Sequence, residues 1–191
     1  FEASADIAHS LANELGRFFP KSDLPQESAG IVEDQDLIAV GANASLQSAG
    51  ILVEYGYIYE SQFVDASVRR LALSELAQET YNGLKRYFEG PGARVKDVAS
   101  LPYLWTRPID AGAKKEPDIF ALQMALSNEY RYPPAGRTRN DCPPSGNFGA
   151  CTRSALRAFQ EVHALALSGI LDFGTVAKLN QLFGGGIAQG R

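Results

Sequence analysis

A short apolar run that ends in a carboxylate constrains the fold of the first half of this chain more than any other feature. Residues 51–60 read ILVEYGYIYE, in which Ile51 to Val53 form an unbroken apolar run and Glu54 follows directly. Such a run is typical of a strand buried on both faces, as in a parallel sheet covered by helices. Ligands of these sheets lie beyond the carboxyl ends of the strands, where the pattern places Glu54. A carboxylate there is either a structural acid with partners or a working one.

A second apolar run and two helical patterns extend this interpretation to an α/β sheet. Leu37–Val40 predicts another short buried strand. Apolar spacing predicts one helix that is capped by Ser4 and stopped by Pro20, and a longer helix over 73–88. Two strands are too few for a complete doubly wound sheet, so residues 1–90 are predicted to be the second half of one.

The chain after residue 90 shows two changes of pattern. Residues 91–116 contain several prolines and no clear period, which predicts an interdomain linker. Trp105 and its apolar neighbours are expected to dock on a neighbouring domain. The glycine-rich end, residues 184–191, is predicted to be a flexible tail.

Residues 117–183 predict a small all-α domain of three helices. Pro117 suits the first position of a helix, Thr152 is a candidate N-cap, and Asp172 with Thr175 marks a third helix start. The whole chain is therefore predicted to be a partial α/β domain followed by a three-helix domain.

The segment Leu-Val-Glu-Tyr-Gly-Tyr-Ile, with the amphipathic helix after it, resembles the last strand and helix of the zinc-dependent N-acetylmuramoyl-L-alanine amidases. These cell-wall hydrolases cut the bond between sugar and stem peptide in peptidoglycan. The resemblance covers residues 4–88 and implies that Glu54 is a catalytic acid/base. The zinc ligands of that family lie upstream of the glutamate, and His9, in no matching motif, is the one histidine of this half. Zinc is therefore expected only in a complete enzyme, with no metal ligand assignable here, and this chain alone is predicted to be inactive.

The second half carries, in this order, Leu122-Gln123, Ser145-Gly146-Asn147-Phe148-Gly149, Thr152, Ala155-Leu156, Phe159-Gln160, Gly169, Asp172, Thr175 and Leu179. Over residues 117–183 it thereby resembles the helical peptidoglycan-binding domain. The resemblance implies that a helix N-terminus here meets stem-peptide carboxylates, through Ser145, Asn147, Thr152 and Arg153. Most of the motif has a structural logic of turns, caps and core, so it indicates fold better than it indicates a ligand site.

The two cysteines, Cys142 and Cys151, bracket the turn of this motif. A wall-targeted chain would work in an oxidising compartment, so we predict that they form a disulfide, with a pair of buried free thiols as the alternative. The expected location is extracellular or periplasmic, associated with the cell wall. Because the chain starts at Phe1 without a methionine or a signal peptide, we expect a processed or truncated product.

Two functions remain open at this point. One is the portion of an amidase-type peptidoglycan hydrolase that carries its wall-targeting domain, with the missing half of the amidase or a homo-oligomer as further partner. The other is a non-catalytic peptidoglycan-binding or structural surface protein derived from an amidase. Since strands apolar on both faces need cover, residues 1–90 are not expected to fold alone as a monomer.

Charge and hydropathy exclude other classes of partner. The chain has 18 basic and 22 acidic side chains, a formal net charge of −4, which gives no electrostatic reason to expect nucleic acid as a ligand. No apolar run is long enough to predict a membrane span.

Overall fold

The structure, a computed structural model, describes residues 2–25, 27, 30–34, 36 and 48–185. These residues form six α-helices and no strand, and one isolated β-bridge joins Ile109 to Leu171. The helices are α1 Glu2–Leu15, α2 Ser61–Val64, α3 Ala66–Glu89, α4 Pro117–Asn128, α5 Ala150–Val162 and α6 Phe173–Phe183.

The predicted α/β half-sheet is wrong for the part of the chain that the structure describes. Ile51–Val53 is irregular, and Leu52 is 57% exposed, so this run is not buried on two faces. The second predicted strand, Leu37–Val40, lies outside the described residues. Three apolar residues between glycines bury too little area to require a sheet, and the first half builds its core from helices instead.

The first half is organised by α3, on which α1 packs. The helices approach closely at Gly83, where an added Cβ would lie 2.8 Å from the Cα of Leu11. The Ser10 hydroxyl donates to the Gly83 carbonyl at 2.7 Å across the same contact. Asp65 caps the start of α3 by accepting from two backbone N–H groups, which helps to fix this 24-residue helix.

Helix ends test several expectations from the sequence. α3 ends at Glu89, one residue past the predicted helix over 73–88, with Gly90 as its C-cap, and Pro117 opens α4 as predicted. Ser4 does not cap α1, because the chain is already helical at Glu2, and its hydroxyl instead accepts from the backbone of Gly50. Thr152 is not an N-cap either, since α5 begins two residues earlier, at Ala150.

Helix α4 lies between two hydrophobic cores, and every residue from Ile119 to Ser127 is buried. One side of α4 belongs to the helical core, which includes Trp105, Ile109, Ile119, Leu122, Leu126, Leu156, Phe159, Leu171 and Leu179. The other side belongs to the N-terminal core, formed by Phe18, Phe19, Phe63, Val68, Ala72, Leu76, Val98, Phe120 and Met124. The two halves of the chain therefore share one helix.

The segment between α3 and α4 packs on both halves. Trp105 is 1% exposed, and its indole N–H donates to the carbonyl of Asp118 at 2.9 Å. The Asn180 side chain pairs with the backbone N–H and C=O of Trp105 at 2.9 and 2.8 Å. Docking of Trp105 is thereby confirmed, while the domain limits at 91–116 stay a prediction. Of the predicted tail, residues 186–191 lie outside the described residues.

Candidate ligand-binding site

The turn before α5 is held by one buried side chain of α4. Gln123 is 1% exposed, and its carbonyl oxygen accepts from the backbone N–H groups of Ser145 and Gly146 at 2.9 and 3.0 Å. Its amide donates to the carbonyl of Asn147 at 3.1 Å and to the hydroxyl of Thr152 at 3.0 Å. A buried amide in an apolar helix thus satisfies three polar groups of the loop and one hydroxyl in the first turn of α5.

The turn before α6 is held in the same way from α5. The fully buried Gln160 accepts from the backbone N–H of Gly169 at 2.8 Å and donates to the carbonyl of Ile170 and the hydroxyl of Thr175. Gly146 and Gly169 take the corresponding left-handed positions, with φ of +73° and +65°. The same arrangement, in which a buried glutamine binds the turn before the next helix, therefore occurs twice. We call these two arrangements the glutamine clamps of Gln123 and Gln160.

The four residues predicted to bind ligand lie around the first clamp. Thr152 is buried, and its hydroxyl is engaged by Gln123 and Asn147. Asn147 is half-buried, and its side-chain oxygen accepts from the backbone N–H of Lys115 at 3.1 Å. Ser145 accepts from the N–H of Asn147 at 3.3 Å. Only Arg153 has an exposed side chain, so the other three engage the protein itself and shape the surface around it.

A shallow depression of about 340 Å³ lies at the N-terminus of α5. Its walls form because the backbone of residues 112–113 pairs with Phe148, through N···O contacts of 3.0 and 2.7 Å. Helices α3 and α6 have aspartate caps, whereas Gly149 at the N-cap of α5 offers no side-chain hydrogen bond. The depression is lined by Ala111, Gly112, Phe148, Gly149, Ala150 and Arg153.

The predicted disulfide between Cys142 and Cys151 is confirmed. Cys151 lies in the first turn of α5, and Cys142 is buried in the helical core. The bridge ties the loop of residues 142–149 to the helix that follows it. The start of α5 is therefore fixed by a covalent bond on one side and by the Gln123 clamp on the other.

The side chains beside the depression are cationic. Arg153 and Arg157 are exposed and lie one helical turn apart on α5, and both stems pass over Gly169. Neither arginine takes part in an ion pair among the described residues. Lys115, whose backbone bonds to Asn147, is exposed as well. A helix N-terminus without a carboxylate cap, next to two free guanidinium groups, is suited to an anion.

The other predicted chemistry lies elsewhere in the molecule. Glu54 is exposed in irregular chain, outside any strand end, and its proposed catalytic role is untested. His9 is exposed on α1, and His163 caps the C-terminus of α5, with its ring centroid 4.4 Å from that of Phe159. Across the described part of the chain, no group of three His, Cys, Asp or Glu side chains could hold a metal ion. These residues therefore do not fit a zinc site.

Three features of the site escaped the sequence analysis. Gln123 and Gln160 were assigned to a motif, but their role as clamps follows only from their burial. A lone glutamine in an apolar helical stripe is the signal that could have revealed it, since a buried amide needs partners. Arg157 stands four residues after Arg153, a spacing that places both on one helix face. The wall at residues 111–113 carries no sequence signal.

Residues 115–179 match the family model described as "Putative peptidoglycan binding domain". The match spans α4, α5 and most of α6, and it includes both glutamine clamps. It supports a role in targeting to the cell wall. No curated protein and no solved structure matches the chain, and nothing in these comparisons supports the resemblance to amidases. Among the helices of the described residues, none has the length and hydropathy that a membrane span requires.

Proposed function

We propose that this protein binds peptidoglycan through the depression at the N-terminus of α5. The observation that carries the proposal is the family match over residues 115–179, in which the start of α5 is uncapped by any side chain and flanked by the free guanidinium of Arg153. The family match indicates peptidoglycan as the ligand, and the positive charge of the site indicates which chemical group of peptidoglycan binds there.

The ligand group that fits is a carboxylate of the stem peptide. The backbone N–H groups at the start of a helix have no partners within it, so those of Ala150 to Thr152 are available to carboxylate oxygens. Arg153 adds a charge-assisted hydrogen bond on the same side. Phe148 forms an apolar wall for the aliphatic part of the peptide, and the predicted contacts of Ser145 and Asn147 lie in the loop beside it.

The proposal concerns binding at the cell wall, not cleavage. The described residues offer no sheet end for Glu54 and no ligand set for zinc, so we derive no hydrolytic step from them. An extracellular or periplasmic location belongs to the same proposal. The Cys142–Cys151 disulfide supports it, since such bonds persist in oxidising compartments.

Co-sedimentation of the full chain with purified cell-wall sacculi tests this proposal. We expect the wild-type protein to pellet with sacculi, and the variant R153A/R157A to bind about tenfold more weakly, which corresponds to about 1.4 kcal/mol. The matched control is R94A/R137A, which removes the same charge from two other exposed arginines and should pellet like the wild type.

Two outcomes would contradict the proposal. If the wild-type chain does not pellet above an albumin control at any salt concentration, the domain serves a protein contact instead. If both double variants lose the same amount of binding, the attraction reflects overall charge and not the site at α5.

A further inference from the structure

The segment that follows the predicted strand at Ile51–Val53 forms an exposed aromatic surface. Tyr57 and Tyr59 stack with ring centroids 5.2 Å apart and an angle of 13° between the ring planes. Tyr59 is 72% exposed, so one face of this pair is open to solvent. We call the pair, with its neighbour Glu54, the tyrosine platform. Large exposed apolar groups that adjoin one another mark interaction sites more often than isolated ones do.

The platform is held in place by hydrogen bonds. The Tyr57 hydroxyl donates to Glu27 at 2.6 Å, and this bond raises the pKa of Tyr57 to about 12. The backbone N–H of Tyr57 donates to Glu60 at 2.8 Å, which closes the turn between the two rings. The hydroxyl of Tyr55 shares a 2.8 Å hydrogen bond with Thr80 on α3 and ties the segment to that helix. Tyr59 therefore stacks on a ring that is already fixed.

Three carboxylates act on the Tyr57 side of the platform, those of Glu27, Glu54 and Glu60. Glu27 and Glu60 are engaged by Tyr57, whereas Glu54 is exposed and makes no hydrogen bond or ion pair within the described residues. These carboxylates would repel an anion. A flat aromatic ring beside a carboxylate that can accept hydrogen bonds suits a neutral ligand rich in hydroxyl groups.

We propose that the tyrosine platform binds sugar rings of a glycan strand. The apolar C–H face of a pyranose stacks on the open face of Tyr59, and the Glu54 carboxylate accepts a hydrogen bond from a ring hydroxyl. The identity of the polymer rests on the proposed function, since peptidoglycan contains both glycan strands and peptides. The cationic site at α5 then takes the peptide carboxylate, while the acidic platform takes the neutral sugar.

Two weak contacts on one polymer act together. Once either site is engaged, the other binds at the effective concentration set by the protein that joins them, so modest affinities suffice at each. Removal of either site should therefore weaken binding to intact sacculi. Binding of an isolated peptide should depend on the site at α5 only, and binding of an isolated sugar on the tyrosine platform only.

The test uses the full chain and a hexamer of N-acetylglucosamine as the probe. We expect NMR signals of the Tyr57 and Tyr59 rings to shift on titration, and Tyr59→Ala to weaken hexamer binding about tenfold. Tyr59→Phe keeps the ring and should stay within twofold of the wild type. Tyr130→Ala is the matched control, since Tyr130 is 90% exposed and stacks on no other ring in the described part of the chain.

The failures of the two proposals can be told apart. If the hexamer at millimolar concentration leaves both rings unchanged while sacculi still bind through Arg153, the platform proposal is wrong and the peptidoglycan proposal stands. If the hexamer binds but sacculi do not, the platform proposal stands and the peptidoglycan proposal is wrong. If Tyr59→Ala abolishes a concentration-dependent self-association instead, the platform is a contact between two copies of the chain.

Discussion

Buried polar side chains position much of this protein at the residue scale. Glu75 is completely buried, and its carboxylate accepts from the backbone N–H groups of Ala99 and Ser100 and from the Ser100 hydroxyl, at 2.6 to 2.8 Å. Burial raises the pKa of Glu75, and these hydrogen bonds oppose the rise. Like the two glutamine clamps, Glu75 joins a helix to a loop that has no regular structure of its own.

Glu79, one turn further along α3, lacks such compensation. Its side chain is fully buried, one carboxyl oxygen has no hydrogen-bond partner, and the other accepts only a long 3.4 Å contact from Asn82. Burial raises its pKa to about 8, the nearby Glu75 and Glu14 add to the rise, and Asn82 and Arg17 oppose it. The folded protein therefore favours the protonated form of Glu79.

The free energy of unfolding should depend on pH through Glu79. The pKa of Glu79 is higher in the folded state than in the unfolded state. Its contribution to the free energy of unfolding is therefore fully present below about pH 4.5 and is lost as the pH rises through about 8. We expect Glu79→Gln to remove much of this loss and to be more stable than the wild type at pH 9 by about 1–3 kcal/mol. Urea denaturation at pH 5, 7 and 9 measures both curves.

The control for this series is Glu89→Gln, at the exposed end of the same helix. It should keep the pH profile of the wild type. Identical profiles for wild type and Glu79→Gln would show that Glu79 does not carry the pH dependence.

Helix α4 decides the architecture at the scale of elements. The spacing of Ile119, Leu122, Leu126 and Tyr130 predicts one apolar stripe, of which the first three residues enter the helical core, whereas Tyr130 is 90% exposed. Phe120 and Met124 lie on another face and enter the N-terminal core. The signal was present, because α4 has no charged residue after Asp118, and a helix apolar all round is a buried one.

We predict that the chain unfolds in one transition, because both cores include side chains of α4. Phe120→Ala should lower the free energy of unfolding by about 3–5 kcal/mol. The loss should appear equally in far-ultraviolet circular dichroism and in the fluorescence of Trp105, which lies in the other core. Phe88→Ala, at a side chain 73% exposed, is the control and should change the stability by less than about 0.5 kcal/mol.

Separate midpoints for the two probes in Phe120→Ala would contradict the prediction. In that case the N-terminal core would unfold without the helical core, and α4 would serve each core independently.

The limits of the sequence analysis follow from what local patterns encode. The helices of the second half, the cap at Asp172 and the cystine were predictable, since spacing and cap chemistry are local. The run at Ile51–Val53 misled because a buried strand and an exposed apolar loop share one pattern when no partner strand is visible. The depression at α5 depends on backbone pairing between residues 112–113 and Phe148, which is not local in sequence.

At the scale of the whole molecule, the charges are distributed unevenly. The chain carries a formal net charge of −4, yet the depression at α5 is flanked by Arg153, Arg157 and Lys115, while Glu27, Glu54 and Glu60 adjoin the tyrosine platform. Two surfaces of opposite character suit a polymer that has both anionic peptides and neutral sugars. Recognition should therefore depend on local charge and not on the overall charge of the protein.

Binding of a peptide carboxylate at the start of α5 is tested by a residue-resolved titration of the full chain with a stem tetrapeptide that has a free C-terminal carboxylate. We predict that the largest amide shift changes fall at Gly112 and over 149–153, and that the C-terminal amide of the same peptide produces smaller ones. A second depression of about 430 Å³ on α3, lined in part by Arg69 and Arg70, is the internal comparison. Shift changes concentrated there, or equal for the acid and the amide, would contradict the assignment of the site at α5.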